Sequence, residues 1–390
     1  MNPSANGWIK KLLKEVKGKD AFFNFKDDVF YNAARSSGFI YGSNINIISH
    51  IIDKEDLTEE EICKVNLLIS FLYTHKNSNC KDDFTDSVIN FYTAINEIKK
   101  SFFNDLFIGK KSEEQLERII HKRIQIDANL ITKNFNYFII NALLFVDVLA
   151  YKHYLTHKDI SKDYIKNLEA SLECITLNVL NSKTVKNKYD DGLIKLFESS
   201  LRFQNNANID YKTAINQLET SLEKFYILDI ACMSTWSDRV IDNNEALFLN
   251  MLGKDLNLHA TRVKESIEVV NYFYSTNKDN IALLSSKNIV KSFYNNSSKM
   301  VNKLISRNSK RLYQELKDSK ELMILISQST VRDLTEAEAK KVQEQLLDIF
   351  KSIPSLAIFL LPGGAILLPL VIKFIPKLLP SAFDDNRVEE

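Results

Sequence analysis

The residues best placed by type and spacing to form a site are three carboxylates, Asp238, Asp242 and Glu245. They lie in the stretch LDIACMSTWSDRVIDNNEALFLNMLGKDLNL, residues 228–258. Carboxylates about a turn apart could hold a hard divalent cation through oxygen ligands. The same spacing also serves the backbone. Asp242 as an N-cap with Glu245 at N3 makes a capping box for a helix carrying Ala246, Leu247, Leu249 and Leu252. Asp238 then holds the turn through Asx hydrogen bonds. His153 and His157 stand one helical turn apart, which is metal-ligand spacing, but no third ligand is near and a solvated helix face accounts for them. Cys63, Cys80, Cys174 and Cys232 have no paired spacing, which argues against a zinc site or a disulfide framework and for buried thiols in a reducing compartment.

A second candidate is basic. From Asn280 to Gln314 the chain carries Lys287, Lys291, Lys299, Lys303, Arg307, Lys310 and Arg311 and no acid. Lys299, Lys303, Arg307 and Arg311 are spaced i, i+4, so they share one helix face, opposite Val301, Ile305, Leu312 and Leu316. Such a stripe suits anionic lipid headgroups, at ~1 kcal/mol per charge near the surface, or RNA phosphates. A plain solvated face fits as well. No nucleophile–base pair and no phosphate-cradling glycine loop occurs, so the chain reads as a non-enzyme with no small-molecule substrate and no cofactor beyond a divalent cation at the acidic turn.

The elements that must position these residues are helices. Between Pro3 and Pro354 there is no proline, and the chain is rich in Leu, Ile, Lys, Glu and Asn, which predicts an all-α fold with short polar turns. A net charge of +1 confines any attraction to anionic partners to local patches. The first residues predict an amphipathic helix at 4–17, with Trp8, Ile9, Leu12, Leu13 and Val16 opposite Lys10, Lys11, Lys14 and Lys17. It lacks the apolar core of a signal peptide, which predicts a cytoplasmic body, and it either lies on a membrane or docks on its own domain. Further helices are predicted at 26–37, at 58–76 behind the capping box Thr58/Glu61, at 83–108, and from Ser112. The most apolar body segment, 134–146, is too short to span a bilayer and predicts a buried central helix. Helices at 160–180, 190–203 and 209–232 follow.

The tail differs from everything before it. Between Lys351 and Lys373 lie 21 consecutive uncharged residues. At ~1.5 Å per residue that run could just cross a ~30 Å hydrocarbon layer. It holds Pro354, Pro362, Gly363, Gly364 and Pro369, with Pro376 and Pro380 just beyond. Pro362-Gly363-Gly364 should break it, leaving a kinked span or a re-entrant hairpin. Lys340, Lys341 and Lys351 before it and Lys373 and Lys377 after it favour the hairpin by the positive-inside rule. Packing into the body or into an oligomer core is the water-soluble alternative.

Two stretches resemble known families. Residues 228–258 resemble the TerB-like helical modules in the spacing of Asp238, Ile241, Asp242 and Glu245, with Arg239 where that family has glycine. Residues 322–384 resemble the mitochondrial leucine-zipper/EF-hand-containing transmembrane protein family at its membrane segment and preceding helix. The resemblance is carried by Leu334-Thr335, Phe350, Ile353-Pro354, Leu368-Pro369, Lys373-Phe374, Pro376, Leu379-Pro380-Ser381 and Phe383. Bacterial relatives of this LETM-like arrangement include biofilm-associated proteins. No EF-hand loop is present. The resemblances imply a membrane-anchored helical protein with a role in potassium/proton homeostasis or envelope and biofilm organisation. A ribosome- or RNA-contacting adaptor and a TerB-like metal-responsive stress module are the alternatives. The expected partners are a lipid membrane, the ribosome and a second copy of the chain, and the expected location is the cytoplasmic face of the inner membrane. The organisation is then an N-terminal helical region, 1–110, and a helical domain with the acidic turn, 111–280. Basic and charged helices at 281–352, the apolar segment at 353–383 and a polar tail at 384–390 complete it.

Overall fold

The computed structural model describes residues 1–53, 57–98, 112–124, 143–182, 209–235, 243–277, 301–329 and 334–353, with positions 332, 356, 371–372 and 374–375. Among the described residues the regular elements are all helical, as the breaker-poor composition predicts. The N-terminal helices are α1 (Trp8–Glu15), α2 (Asp20–Phe23) and α3 (Asp27–Ser36). The body continues with α4 (Glu59–Lys76), α5 (Phe84–Ile98), α6 (Ser112–Ile124), α7 (Leu144–His157) and α8 (Lys162–Ser182). Next come α9 (Tyr211–Asn216), α10 (Ser221–Thr235), α11 (Asn243–Asp255) and α12 (Ala260–Asn277). A helical run at 301–307 leads into α13 (Ser309–Lys317), α14 (Lys320–Gln328) and α15 (Glu336–Ser352).

The body is built around α4, which is buried continuously from Glu61 to Thr74 and packs against α7. A helix apolar on every side must be enclosed by others, and VNLLISFLY at 65–73 is such a helix. The central helix predicted at 134–146 is described only at its end, where Leu144, Phe145 and Val146 are helical and buried. Residues 134–142 lie outside the described residues, and α7 begins at Leu144 and runs on through Asp147. Asp147 does not end the helix because Arg123 neutralises it inside the core, Nε to Oδ2 at 2.7 Å, with Tyr92 donating to the same oxygen at 3.0 Å.

Other expectations are met or corrected by local chemistry. The apolar face of α1 is buried at Trp8, Ile9 and Leu12, and Glu117 on α6 accepts from the Gly7 and Ile9 N–H groups. This helix therefore docks on its own domain. The capping box of α4 forms in both directions. The single helix predicted at 209–232 is two, α9 and α10. Glu223 folds back to accept from the Glu219 and Thr220 N–H groups while its own N–H donates to Thr220 Oγ1. That is a Thr-x-x-Glu capping box inside the apolar pattern, and it starts a new helix. At the end of α3, Gly38 adopts φ +83°, and a Cβ there would sit 1.8 Å from the Ser43 carbonyl oxygen. Only glycine closes that turn.

Among the described residues the buried apolar side chains form two clusters. The larger runs from Trp8 to Tyr274 and draws on both 1–110 and 111–280. The smaller runs from Val301 to Ile375.

Candidate functional site: the C-terminal cluster and its ionic junction

The smaller cluster is made by the helical run 301–307, α13, α14 and α15. Val301, Ile305, Leu312, Leu316, Leu322 and Ile326 meet Val342, Leu346 and Phe350. Apolar residues at helical spacing on each element give each one an inward face. Helix α15 starts at a second reciprocal capping box, Thr335/Glu338, and Arg332 adds a bidentate contact to Glu338 at 2.7 and 2.9 Å. These donors, Arg332 first and then Thr335, hold the Glu338 carboxyl at about 2. Ion pairing of Lys341 with Glu321 and a hydrogen bond from Ser319 to Gln345 tie α15 to α14. In the apolar segment 353–383, Ile353, Leu356, Val371 and Ile375 are buried in this cluster and Ile372 and Phe374 pack against it. Pro354, Pro362, Gly363, Gly364, Pro369, Pro376 and Pro380 lie outside the described residues, as does the predicted break. Among the described residues no helix is long and apolar enough to cross a membrane.

The basic stripe is where the structure departs most from the sequence reading. Its side chains were expected to face solvent, and Lys303 and Arg307 instead reach the body. Arg307 clasps Glu61 of α4, Nη2 to Oε1 at 2.7 Å and Nη1 to Oε2 at 2.9 Å. The arginine side chain is 16% exposed and the glutamate 0%. Ser4 Oγ donates to Glu61 Oε1 at 2.6 Å, and the Thr58 N–H donates to Oε2 at 2.9 Å. Lys303 Nζ donates to the Leu57 carbonyl at 2.5 Å. Burial alone would push the Glu61 carboxyl up, but the hydrogen bonds and charge of Arg307, with Ser4 and Thr58, outweigh it and hold the group below its ordinary range. Arg311 turns the other way and donates to the Ser352 carbonyl, where a cation meets the negative end of α15. Lys299 lies outside the described residues.

The acidic turn is described only in part. Helix α11 begins at Asn243, and Glu245 in its first turn is buried. Asp238 and Asp242 lie outside the described residues. Among the described residues no group of His, Cys, Asp and Glu has the arrangement of a metal site. His153 and His157 stack at 4.1 Å, and His153 stacks on Tyr164 at 3.9 Å, so their rings are side by side and do not converge.

A further polar centre went unread in the sequence. Asp229 on α10 is fully buried and accepts from Tyr31 Oη at 2.7 Å and Arg35 Nη2 at 3.1 Å. Nη2 meets Oδ1, Arg35 Nε stands 2.9 Å from Oδ2, the oxygen that Tyr31 also meets, and Nη1 pairs with Glu265 at 2.9 Å. Arg262 lies over the Phe225 ring at 4.0 Å. The signal was present: Asp229 interrupts the apolar stretch YILDIAC, and a charge there demands a buried partner. With every described polar contact closed inside the protein, this centre reads as structural.

Residues 334–390 match the family model described as LETM1-like, RBD. The match leaves 228–258, and the TerB-like resemblance there, outside it. No curated protein and no solved structure matches. In its C-terminal residues 334–390 the chain is similar to the LETM1-like family.

Proposed function

We propose that the chain is a non-enzymatic adaptor of LETM1-like type, held at a membrane by its C-terminal segment with its helical body on the cytoplasmic face. One observation carries the proposal. The LETM1-like match, 334–390, falls on the segment that holds the uncharged, proline-rich run. An apolar run of 21 residues is rare in water-soluble domains and suits a hydrocarbon layer. In this reading the protein serves cation homeostasis or envelope organisation. Fractionation of cells expressing the full chain tests it. The expected result is recovery with membranes and release on removal of 353–390. A full-length chain found wholly in the soluble fraction refutes membrane attachment. Slower growth of a deletion strain at limiting or excess potassium is expected if the role is in cation balance.

A second reading is ribosome contact, favoured by the RBD designation of the matched model. Co-sedimentation of the full chain with purified ribosomes tests it, and its absence at low and physiological salt removes the reading.

A further inference from the structure

Among the described residues the body and the C-terminal cluster meet through polar groups. Their apolar residues belong to two separate clusters, while Glu61, Leu57 and Ser4 on one side meet Arg307 and Lys303 on the other. A polar junction of this kind is expected to open more readily than a continuous apolar core. What it covers is chemically specific. Arg307 and Lys303 stand at i, i+4 on one face, and Lys310 and Arg311 follow on the exposed surface. Docking uses up two cations of a stripe that would otherwise present positive charge beside the apolar run.

We propose that Glu61 is a latch. Docked, it withholds Arg307 and Lys303. Undocked, the stripe formed by Lys303, Arg307 and Lys310 binds anionic lipid headgroups. The inference rests on the membrane reading above and names how that contact is regulated. The position favours lipid over other polyanions, because the stripe belongs to the same cluster as Ile353, Leu356, Val371 and Ile375 of the apolar segment 353–383. A released stripe is thus tethered next to the segment proposed to meet the bilayer. Arg307 gives the latch its geometry, since its planar fork matches the carboxylate with both arms.

The test is made on the full-length chain. Glu61→Gln keeps the capping box, because glutamine serves at N3, but removes the charge that Arg307 needs. Arg307→Lys leaves α4 untouched and removes the bidentate fork. Two measurements are made on each: amide hydrogen exchange across 301–317, and co-sedimentation with phosphatidylcholine vesicles with and without phosphatidylglycerol. Both variants are expected to exchange faster at 301–317. Glu61→Gln is expected to bind the phosphatidylglycerol vesicles more tightly, by up to about 30-fold for two freed cations near an anionic surface. It should show no gain on phosphatidylcholine alone. Adding Lys303→Gln and Arg307→Gln to Glu61→Gln should abolish the gain. Unchanged exchange in both variants overturns the latch. Faster exchange without a gain on anionic vesicles, or with a gain for a short RNA instead, overturns the lipid assignment. Failure of the membrane reading looks different: the unmodified chain and its 353–390 deletion would fractionate alike, whatever Glu61→Gln does to exchange.

Discussion

Replacing Asp229 by Asn should strand a buried arginine. Asp229 is fully buried and faces both the Tyr31 hydroxyl and two nitrogens of Arg35. Asparagine keeps one acceptor but turns an NH2 donor toward a guanidinium that can only donate. Breaking a buried ion pair from one side costs roughly 3–5 kcal/mol. Arg35 keeps its 2.9 Å contact to Glu265, which is 43% exposed, so the lower end applies, about 3 kcal/mol. For a body of this size that corresponds to a fall in Tm of roughly 6–12 °C. Thermal and urea unfolding followed by circular dichroism measure it. A companion variant separates the stranded charge from lost packing. Asp229→Leu with Arg35→Met and Tyr31→Phe leaves no orphaned polar group among the three and should recover most of the loss. The reasoning fails if Asp229→Asn unfolds within about 1 kcal/mol of the parent, or if the triple variant is less stable than the single one.

The remaining predictions concern single local devices. Gly38→Ala forces a Cβ against the Ser43 carbonyl at φ +83° and should cost at least ~2 kcal/mol, read by urea unfolding; a neutral effect would mean that the turn relaxes freely. Thr335→Ala removes one half of the α15 capping box and should cost about 1 kcal/mol, seen as faster hydrogen exchange at 336–352 with the body unaffected. Acid should loosen the C-terminal cluster. The folded-state carboxyls of Glu61 and Glu338 are both depressed, so their contribution is present above the ordinary glutamate range and is lost as pH falls through their folded values, toward about 2 for Glu338. Exchange at 301–352 measured down that range checks this, and protection unchanged to pH 2 contradicts it.

What could be read from the sequence was whatever is closed within a few residues. The Thr58/Glu61 box, the α3 end at Gly38 and the amphipathic face of α1 each follow from neighbours along the chain. The break between α9 and α10 was equally local, in Thr220 and Glu223, but it sits inside a continuous apolar pattern that argued for one helix. The ion pairs were of another kind. Arg35 and Asp229 are 194 positions apart, and Arg307 and Glu61 are 246 apart. Periodicity tells which residues share a helix face and nothing about what that face meets. Glu61 shows the limit plainly: its role as a cap was legible, while its role as the acceptor for a distant arginine was not, although both use Oε2.

The same distinction bears on where the LETM1-like unit begins. The sequence match starts at Leu334. Among the described residues the cluster that α15 belongs to reaches back to Val301, and Val342, Leu346 and Phe350 bury themselves with Ile305, Leu312, Leu316, Leu322 and Ile326. Full burial of such a side chain contributes ~1.5–3 kcal/mol, and a lone helix of α15's length is marginal in water. A segment 334–390 made alone should therefore be largely unfolded or self-associated. A segment 301–390 should be helical, with α15 protected from exchange. Arg311 on the Ser352 carbonyl and Ser352 Oγ on Glu315 at 2.9 Å point the same way, since both close the end of α15 with residues that precede the match. Circular dichroism and sedimentation of the two segments decide it. A monomeric, helical 334–390 would show that α13 and α14 merely cover a unit that is complete without them.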